Sequence, residues 1–558
     1  MKQLIDVAMG RKKASLVLKN ATVLNVFTEE WLEGDVAIYE GRIAGIGSYE
    51  GEQEMDCKGR YVVPGLIDAH MHMESSMVMP LELSKMLLKA GTTTIVADPH
   101  ELVNVAGMRA LDFLLDATCD IPLSVYFMIP SAVPCLDEET NGAGELTAEM
   151  MEPYVNHPRV LGLGEVMRFA DVLAGEERML KKTALFRAAH IDGHAPGISG
   201  KAVQAYRAAG IENDHECSTA QEAIEKARAG LYIFMRQGSG ARNAEALLKG
   251  FVDAKMPLDM CMFCTDDKHL EDIEKEGHIN MCVRIAIALG VPAAKAYAMA
   301  SYRPAVCYGL KTKGAVAAGF DADLLILDEL TQAWPAVTIQ NGRIVDAAYL
   351  GGFATKVSDE SLLHTVMAYP IESGQLALTL PGAETDVCEM IPGELITRHL
   401  REPVPQKDGL FLPDREYNKM CVIERHGRNH KIGIAPLKGF GISGGAIATS
   451  VAHDSHNIIA AGDNDEDIRV AVNELIRLQG GSVIAAGGEV KDALPLPVGG
   501  LMSLQDCESV QRKTGEMVRM ACRMGVQEGV DPFITLSFMA LPVIPQIRLT
   551  ERGLVYLE

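Results

Sequence analysis

Nowhere in this 558-residue chain is there an apolar run approaching the roughly 18 residues that a membrane helix needs. A bilayer-spanning helical protein is thereby excluded, although 48% of the residues are hydrophobic. The N-terminus, MKQLIDVAMGRKKASLVLKN, breaks its apolar residues with charge before the core of a signal peptide develops, so a cytoplasmic protein is expected. Positive charge is also scarce: the formal net charge is −23, and the Lys and Arg residues are dispersed without a basic stripe. Such a surface repels polyphosphate, which excludes a nucleic-acid polymer as partner and leaves small neutral molecules allowed. The 12 cysteines stand singly in apolar segments rather than in a disulfide framework, and reduced, buried thiols are expected.

What is present is enough chain for two to four domains, one of them a large α/β barrel. Residues 15–60 alternate β-branched residues with turn signals, the texture of short antiparallel strands, and the same texture returns over 314–350. IYEGRIAGI in the first piece is echoed by IQNGRIVDA in the second. Two similar β pieces around one insert suggest a composite β-sandwich of residues 1–61 and 311–352. Between them, residues 62–310 repeat a short apolar run, a polar tail and a helical segment. The candidate strands are YVVPGLID, TTTIVADPH, IPLSVYFMIP, RVLGLGEV, AHIDGH, GIENDHE, LYIFMRQG and LDMCMFCTDD. Eight strands alternating with helices are what a (β/α)8 barrel requires. Residues 353–558 mix strands with a helix at DNDEDIRVAVNELIRLQGG and read as a C-terminal α/β domain.

In such a barrel, function gathers where the strands end. Strand 1 ends in His70 and His72, strand 4 in Glu165, strand 5 in His194, strand 6 in His215, and strand 8 in Asp266 followed by Asp267. Alternate strand residues point the same way, so His70 and His72 can aim at one point above the barrel mouth. Four imidazoles and two carboxylates suffice for two adjacent divalent ions, with a carboxylate bridging the pair. One histidine at a strand end is more often a structural residue than a ligand. Six such groups in this order are not readily a structural coincidence.

With PGLIDAHMHMESS, ADPHELVNVAG, GLGEVM, DGHAPGISG, NDHEC, FCTDD, GFGISGG and HDSHN in view, the chain resembles the amidohydrolase superfamily and, within it, the bacterial adenine deaminase family. The resemblance runs from about residue 15 to the C-terminus. Many amidohydrolases bridge their metals through a carboxylated lysine after strand 4, whereas GLGEVMRF offers Glu165 and no lysine there. The resemblance implies hydrolytic deamination of adenine to hypoxanthine and ammonia at a centre of two divalent ions, manganese ahead of iron or zinc. His70, His72, Glu165, His194, His215 and Asp266 would be the ligands. Between two cations a water loses its proton near neutral pH and can attack C6 of a purine, with Asp266 passing the remaining proton toward the departing amine.

The ring must also gain a proton as its aromaticity breaks, which calls for a second acid. In ADPHELVN, Glu101 is the favoured substrate-facing acid, with His100 as catalytic partner and Asp98 behind; a helix start is the plain alternative. Asp98, Glu74 and Ser75 are candidates for binding the base, though Glu74, Ser75 and Ser76 equally suit a helix cap. Asp267 competes with Asp266 as ligand, and strand parity favours the first.

Other motifs carry less. Cys261-Met-Phe-Cys264 with His72-Met-Glu74 imitates the zinc nucleobase deaminases, but alternation would send the two thiols to opposite faces. Gly439-Phe-Gly441-Ile-Ser-Gly444 fits the dinucleotide string, yet no clear helix follows and a Gly-rich turn is expected. His453-Asp-Ser-His456-Asn could reach a metal or substrate, and is read first as a hydrogen-bonded turn packing the last domain on the barrel. The rival activities are hydrolysis of a cyclic amide, as in dihydroorotase-like or allantoinase-like members, and a non-catalytic barrel scaffold. A homo-oligomer, dimer favoured, is expected.

Overall fold

The computed structural model describes residues 1–557 other than 393, 395, 528 and 529. The strand Ala14–Asn25 pairs antiparallel with Glu30–Tyr39, and its other edge takes first Gly51–Asp56 and then Tyr61–Pro64, both parallel. Leu324–Leu327 pairs antiparallel with Tyr61–Pro64 and carries Val337–Gln340 and Arg343–Ile344 beyond it. The two flanks of the insert thus enter one eight-stranded sheet. The repeated sequence is a repeated hairpin. Glu40-Gly41 joins the register pair Tyr39 and Arg42, Asn341-Gly342 joins Gln340 and Arg343, and all four turn residues have φ between 47° and 77°. Two left-handed residues are what a two-residue turn matched to strand twist demands.

The insert contains eight parallel strands: β1 (Leu66–Met71), β2 (Thr92–Ala97), β3 (Ser124–Ile129), β4 (Val160–Val166), β5 (His190–Gly193), β6 (Asn213–Asp214), β7 (Tyr232–Arg236) and β8 (Cys261–Cys264). β1 to β5 form one sheet in sequence order and β6 to β8 another. The sheets meet at both edges. Glu212 N–H donates to Ile191 O at 3.0 Å and Gly193 N–H to the Asn213 side chain at 2.8 Å. Just past β8, Asp266 N–H donates to His70 O at 3.0 Å and His72 N–H to Asp266 O at 3.1 Å. The result is a curled parallel sheet with helices such as Pro80–Lys89, Ala220–Arg228 and Ala244–Asp253 on its outside. Cys261 and Cys264 fall in two different apolar clusters on either side of β8, as strand alternation requires.

The first candidate strand differs from expectation. YVVPGLID is two strands divided at Gly65, where Tyr61–Pro64 belongs to the mixed sheet and β1 begins the parallel one. A Cβ at Gly65 would lie 2.1 Å from Thr93 Oγ1, so only glycine lets the chain cross here.

The last third builds an eight-stranded sheet in the order 397–402, 385–390, 432–438, 417–423, 458–462, 446–449, 481–486, 489–495. Its residues alternate between two cores. Ala446, Ala448, Ala460, Val483 and Ala485 pack with Ile468, Val472 and Leu475 of the helix Asp465–Leu478. Ile447, Ile459 and Ile484 join the cluster that holds Met71 and Leu102. The sheet is therefore seated directly on the parallel-strand unit. Gly439–Gly444 leads into the strand Ala446–Thr449 rather than a helix, and Asp463 accepts from Gly444 N–H and Gly445 N–H.

Candidate active site

Each strand-end residue is fixed from behind before it can face the mouth. His72 Nδ1 donates to Asp98 O at 2.8 Å, leaving Nε2 free to face inward. Glu165 N–H donates to Asp98 Oδ2 at 3.0 Å, and Ser131 Oγ donates to Glu165 O at 2.5 Å. His194 N–H donates to Tyr206 Oη at 3.0 Å, and that hydroxyl donates to Val166 O at 2.9 Å. Lys226, with its ammonium fully buried, pairs with Asp214, with Glu222 at 2.7 Å and with Ala195 O at 2.7 Å. It thereby ties together the residue after His194 and the residue before His215. Asp266 has φ of 61°, a left-handed conformation that aspartate tolerates better than most residues, and its backbone is clasped by β1.

These supports bring the six expected ligands together. Glu165 Oε1 lies 3.2 Å from His72 Nε2 and 3.6 Å from His70 Nε2. Its Oε2 lies 2.6 Å from His194 Nδ1 and 3.3 Å from His215 Nε2. Asp266 Oδ1 is 2.9 Å from His72 Nε2 and 3.7 Å from His70 Nε2. Asp267 instead accepts from Ser75 Oγ. The His70 and His215 rings stack with centroids 4.2 Å apart.

The donor set fits divalent cations. His70 and His215 are buried with neither ring nitrogen in a hydrogen bond, and Glu165 Oε1 has none either, a cost folding does not normally leave uncompensated. Ligand atoms of His70, His72 and Glu165, of Glu165, His194 and His215, and of His70, His215 and Asp266 lie within 4.8 Å of one another inside each group. Burial pushes the Glu165 and Asp266 carboxyls up. For Glu165 the neighbouring His100, His194, His215 and His72 imidazoles outweigh it, and for Asp266 the Arg236 guanidinium with His70 and His72 does, so both stay well below the usual carboxylate range.

Sequence reasoning missed two charged neighbours. Arg236, the last residue of β7, donates to Asp266 Oδ2 at 2.6 Å and pairs with Glu216, which lies 3.6 Å from His215 Nε2. The signals were present in LYIFMRQG and NDHEC, but a strand-ending Arg and an acid beyond a histidine are common on any surface.

A cleft of about 550 Å³ opens over the cluster. His72, His100, Glu165, Asp266 and Arg236 line its charged side, and Phe538, Leu541, Val543 and Ile544 its apolar side. His100 Nδ1 lies 3.2 Å from Glu165 Oε1. Glu101 also lines the cleft, but both its oxygens accept from imidazoles, His453 Nδ1 at 2.6 Å and His456 Nε2. The base-binding candidates Asp98, Glu74 and Ser75 are not among the residues lining this cleft. Asp98 is fully buried behind His72 and Glu165, its backbone carbonyl accepting from the His72 ring and its Oδ2 from Glu165 N–H. Glu74 accepts from Leu102 N–H at 3.1 Å, and with Ser75 it lines an adjoining cavity of about 60 Å³ that shares Glu101, Asp267 and His453 with the cleft.

This chain belongs to the amidohydrolase family, whose model matches residues 61–352. Within that family it belongs with the adenine deaminases: residues 394–558 match the adenine deaminase C-terminal domain. The adenine deaminase of Desulfitobacterium hafniense is 46% identical over 99% of this chain and 97% of its own length. Those of Clostridium acetobutylicum (43%, covering 98% and 97%) and Bacillus subtilis (41%, covering 99% and 96%) are similar over equal spans.

Proposed function

We infer that this protein hydrolyses adenine to hypoxanthine and ammonia. The observation that carries the reading is the division of Glu165, one oxygen facing His70 and His72 and the other facing His194 and His215, in a chain 41–46% identical to adenine deaminases over its length. His70, His72, Glu165, His194, His215 and Asp266 would hold two divalent ions, manganese ahead of iron or zinc. When bound, such ions supply the charge that lets water ionise near neutral pH. Asp266 takes the proton released by the attacking water and passes it to the exocyclic amine, while Arg236 holds its second oxygen. A flat, neutral base suits a cleft with one apolar wall and one polar wall. Proton supply to the ring falls to the groups around His100 and Glu101.

We read the eight parallel strands as a distorted (β/α)8 barrel spanning 62–310, flanked by a composite β-sandwich (1–61 and 311–352) and followed by an α/β domain (353–558). No described helix is long and apolar enough to cross a membrane; a cytoplasmic homo-oligomer, dimer favoured, completes the proposal. A non-catalytic scaffold would bury His70 and His215 without partners to no purpose. The test is ammonia release with the ultraviolet change of adenine, using protein stripped by chelator and reloaded with manganese. Turnover of adenine is expected. Hydrolysis of dihydroorotate or allantoin with none of adenine would overturn the reading.

A further inference from the structure

The last domain reaches into the cleft through a loop that the barrel's own ligands do not account for. Glu101, at the start of the helix His100–Ala106, is gripped by two histidines more than 350 residues away in sequence. Their chemistry differs. Ala452 N–H donates to His456 Nδ1 at 3.1 Å, so that nitrogen is an acceptor and the ring proton sits on Nε2, directed at Glu101. Burial keeps this imidazole neutral, pushed down to about 4. His456 is a fixed donor with nothing left to exchange.

His453 uses only Nδ1 on Glu101. Its Nε2 makes no hydrogen bond with any described residue, and the ring lines the same cleft as His72 and Asp266. Phe538 stacks on it with centroids 4.7 Å apart and planes at 16°, fixing the ring's orientation. Glu101, with both oxygens accepting, has no proton to give. Burial opposes its ionisation, but His453, His456 and His100 hold it well below the usual carboxylate range. A buried carboxylate on Nδ1 with Nε2 open to substrate is the arrangement by which a carboxylate fixes the tautomer of a catalytic imidazole and stabilises its charged form.

We propose that His453 is the acid that protonates the purine ring nitrogen N1, and that Glu101 acts through it as a positioning residue. This rests on the deaminase reading. As the water oxygen bonds to C6, the C6–N1 π pair moves to N1, which takes the proton from His453 Nε2. When the C6–N6 bond breaks, one proton of the water leaves with ammonia, and the other replaces the one that His453 gave. Burial lowers the proton affinity of this ring, while Glu101, Asp267 and Asp454 more than offset it, pushing it up to about 9. His456 faces the ring at 5.7 Å and, being neutral, does not oppose its charge.

His453→Gln and His453→Asn, each loaded with manganese, test this against the unaltered protein. Either amide can still donate to Glu101 but carries no charge, so metal content is expected to be unchanged and the unfolding midpoint to fall as the buried carboxylate loses its cation. kcat for adenine is expected to fall by about 10²–10⁴ with KM within about threefold, and imidazole added to His453→Gly to restore part of it. A kcat within about threefold of the unaltered protein, or a rise in KM alone, would overturn the assignment. A crystal structure of the unaltered protein with hypoxanthine needs no variant. His453 Nε2 is expected within about 3.2 Å of N1, and another side chain in that place contradicts the proposal. If the unaltered protein releases no ammonia from adenine, the deaminase reading fails by itself. If it does and His453→Gln keeps its turnover, only this inference fails.

Discussion

Replacing Lys226 with methionine isolates a support of the site without touching the site. The ammonium is fully buried against the Asp214 carboxylate, which is itself 1% exposed, and it also meets Glu222 at 2.7 Å and Ala195 O at 2.7 Å. Methionine fills the space of the lysine stem, so the transfer of apolar atoms changes little. Asp214 loses its ion-pair partner and, among the described residues, keeps the Glu216 N–H at 2.7 Å. Removing one partner of a buried pair costs about 3–5 kcal/mol, because the other charge stays buried. Glu222 loses less, since it still accepts from Gly197 N–H at 2.8 Å and Ser218 N–H at 3.1 Å. Urea unfolding of chelator-stripped protein, followed by circular dichroism, should therefore show a loss near that magnitude. The double variant Asp214→Leu with Lys226→Met should recover most of it, leaving about 1–2 kcal/mol for the unmet Ala195 carbonyl. Manganese affinity should fall in the single variant, as Ala195 follows His194 and Asp214 precedes His215. A single variant that loses less than about 1 kcal/mol, or a double variant no more stable than the single, would refute the argument.

Three further outcomes follow from the same geometry. Glu165→Gln keeps the side-chain shape and removes the charge shared by four imidazoles; bound manganese, measured by elemental analysis, should fall to one ion or fewer per chain, with at least about a 10³-fold loss of turnover. Tyr206→Phe leaves His194 N–H and Val166 O without their shared hydroxyl, costing about 1–3 kcal/mol by urea unfolding; an unchanged midpoint would mean that the hydroxyl does not hold β4 to β5. Burial pushes Lys182 down to about 8 from 10.5, so between those pH values the unfolded chain holds a proton that the folded one has shed. This group's contribution to stability is thus complete above pH 10.5 and is lost as pH falls through 8. Lys182→Met should flatten the rise between pH 8 and 10.5 and stabilise the protein at pH 7 by at most about 3 kcal/mol.

The strand ends were legible because a strand's alternation and the barrel's polarity place any residue closing an apolar run at one mouth. That is why His70, His72, Glu165, His194, His215 and Asp266 could be named without coordinates. The EGR and NGR echo was likewise readable, since two left-handed residues leave a glycine signature. Gly65 was not read as a boundary, because its role is the close approach of Thr93 from another strand. β6 is only Asn213–Asp214, both buried and polar, so no apolar run could mark its limits; function showed there through His215 alone. Asp98 and Glu74 looked substrate-facing as charged residues near the mouth, yet each is buried with one oxygen accepting from a backbone amide. The HDSHN loop was read as a turn that packs one domain on another. Nothing local to it reveals that His453 and His456 meet Glu101, because the contact depends on how the last sheet seats its Ile447, Ile459 and Ile484 face on the parallel-strand unit.

The central claim is that the two oxygens of Glu165 serve two separate cations. Anomalous diffraction from crystals of manganese-loaded protein tests it most directly. Two peaks are expected, one among His70, His72, Asp266 and Glu165 Oε1, the other among His194, His215 and Glu165 Oε2. A single peak, or a pair lying away from Glu165, would contradict the account.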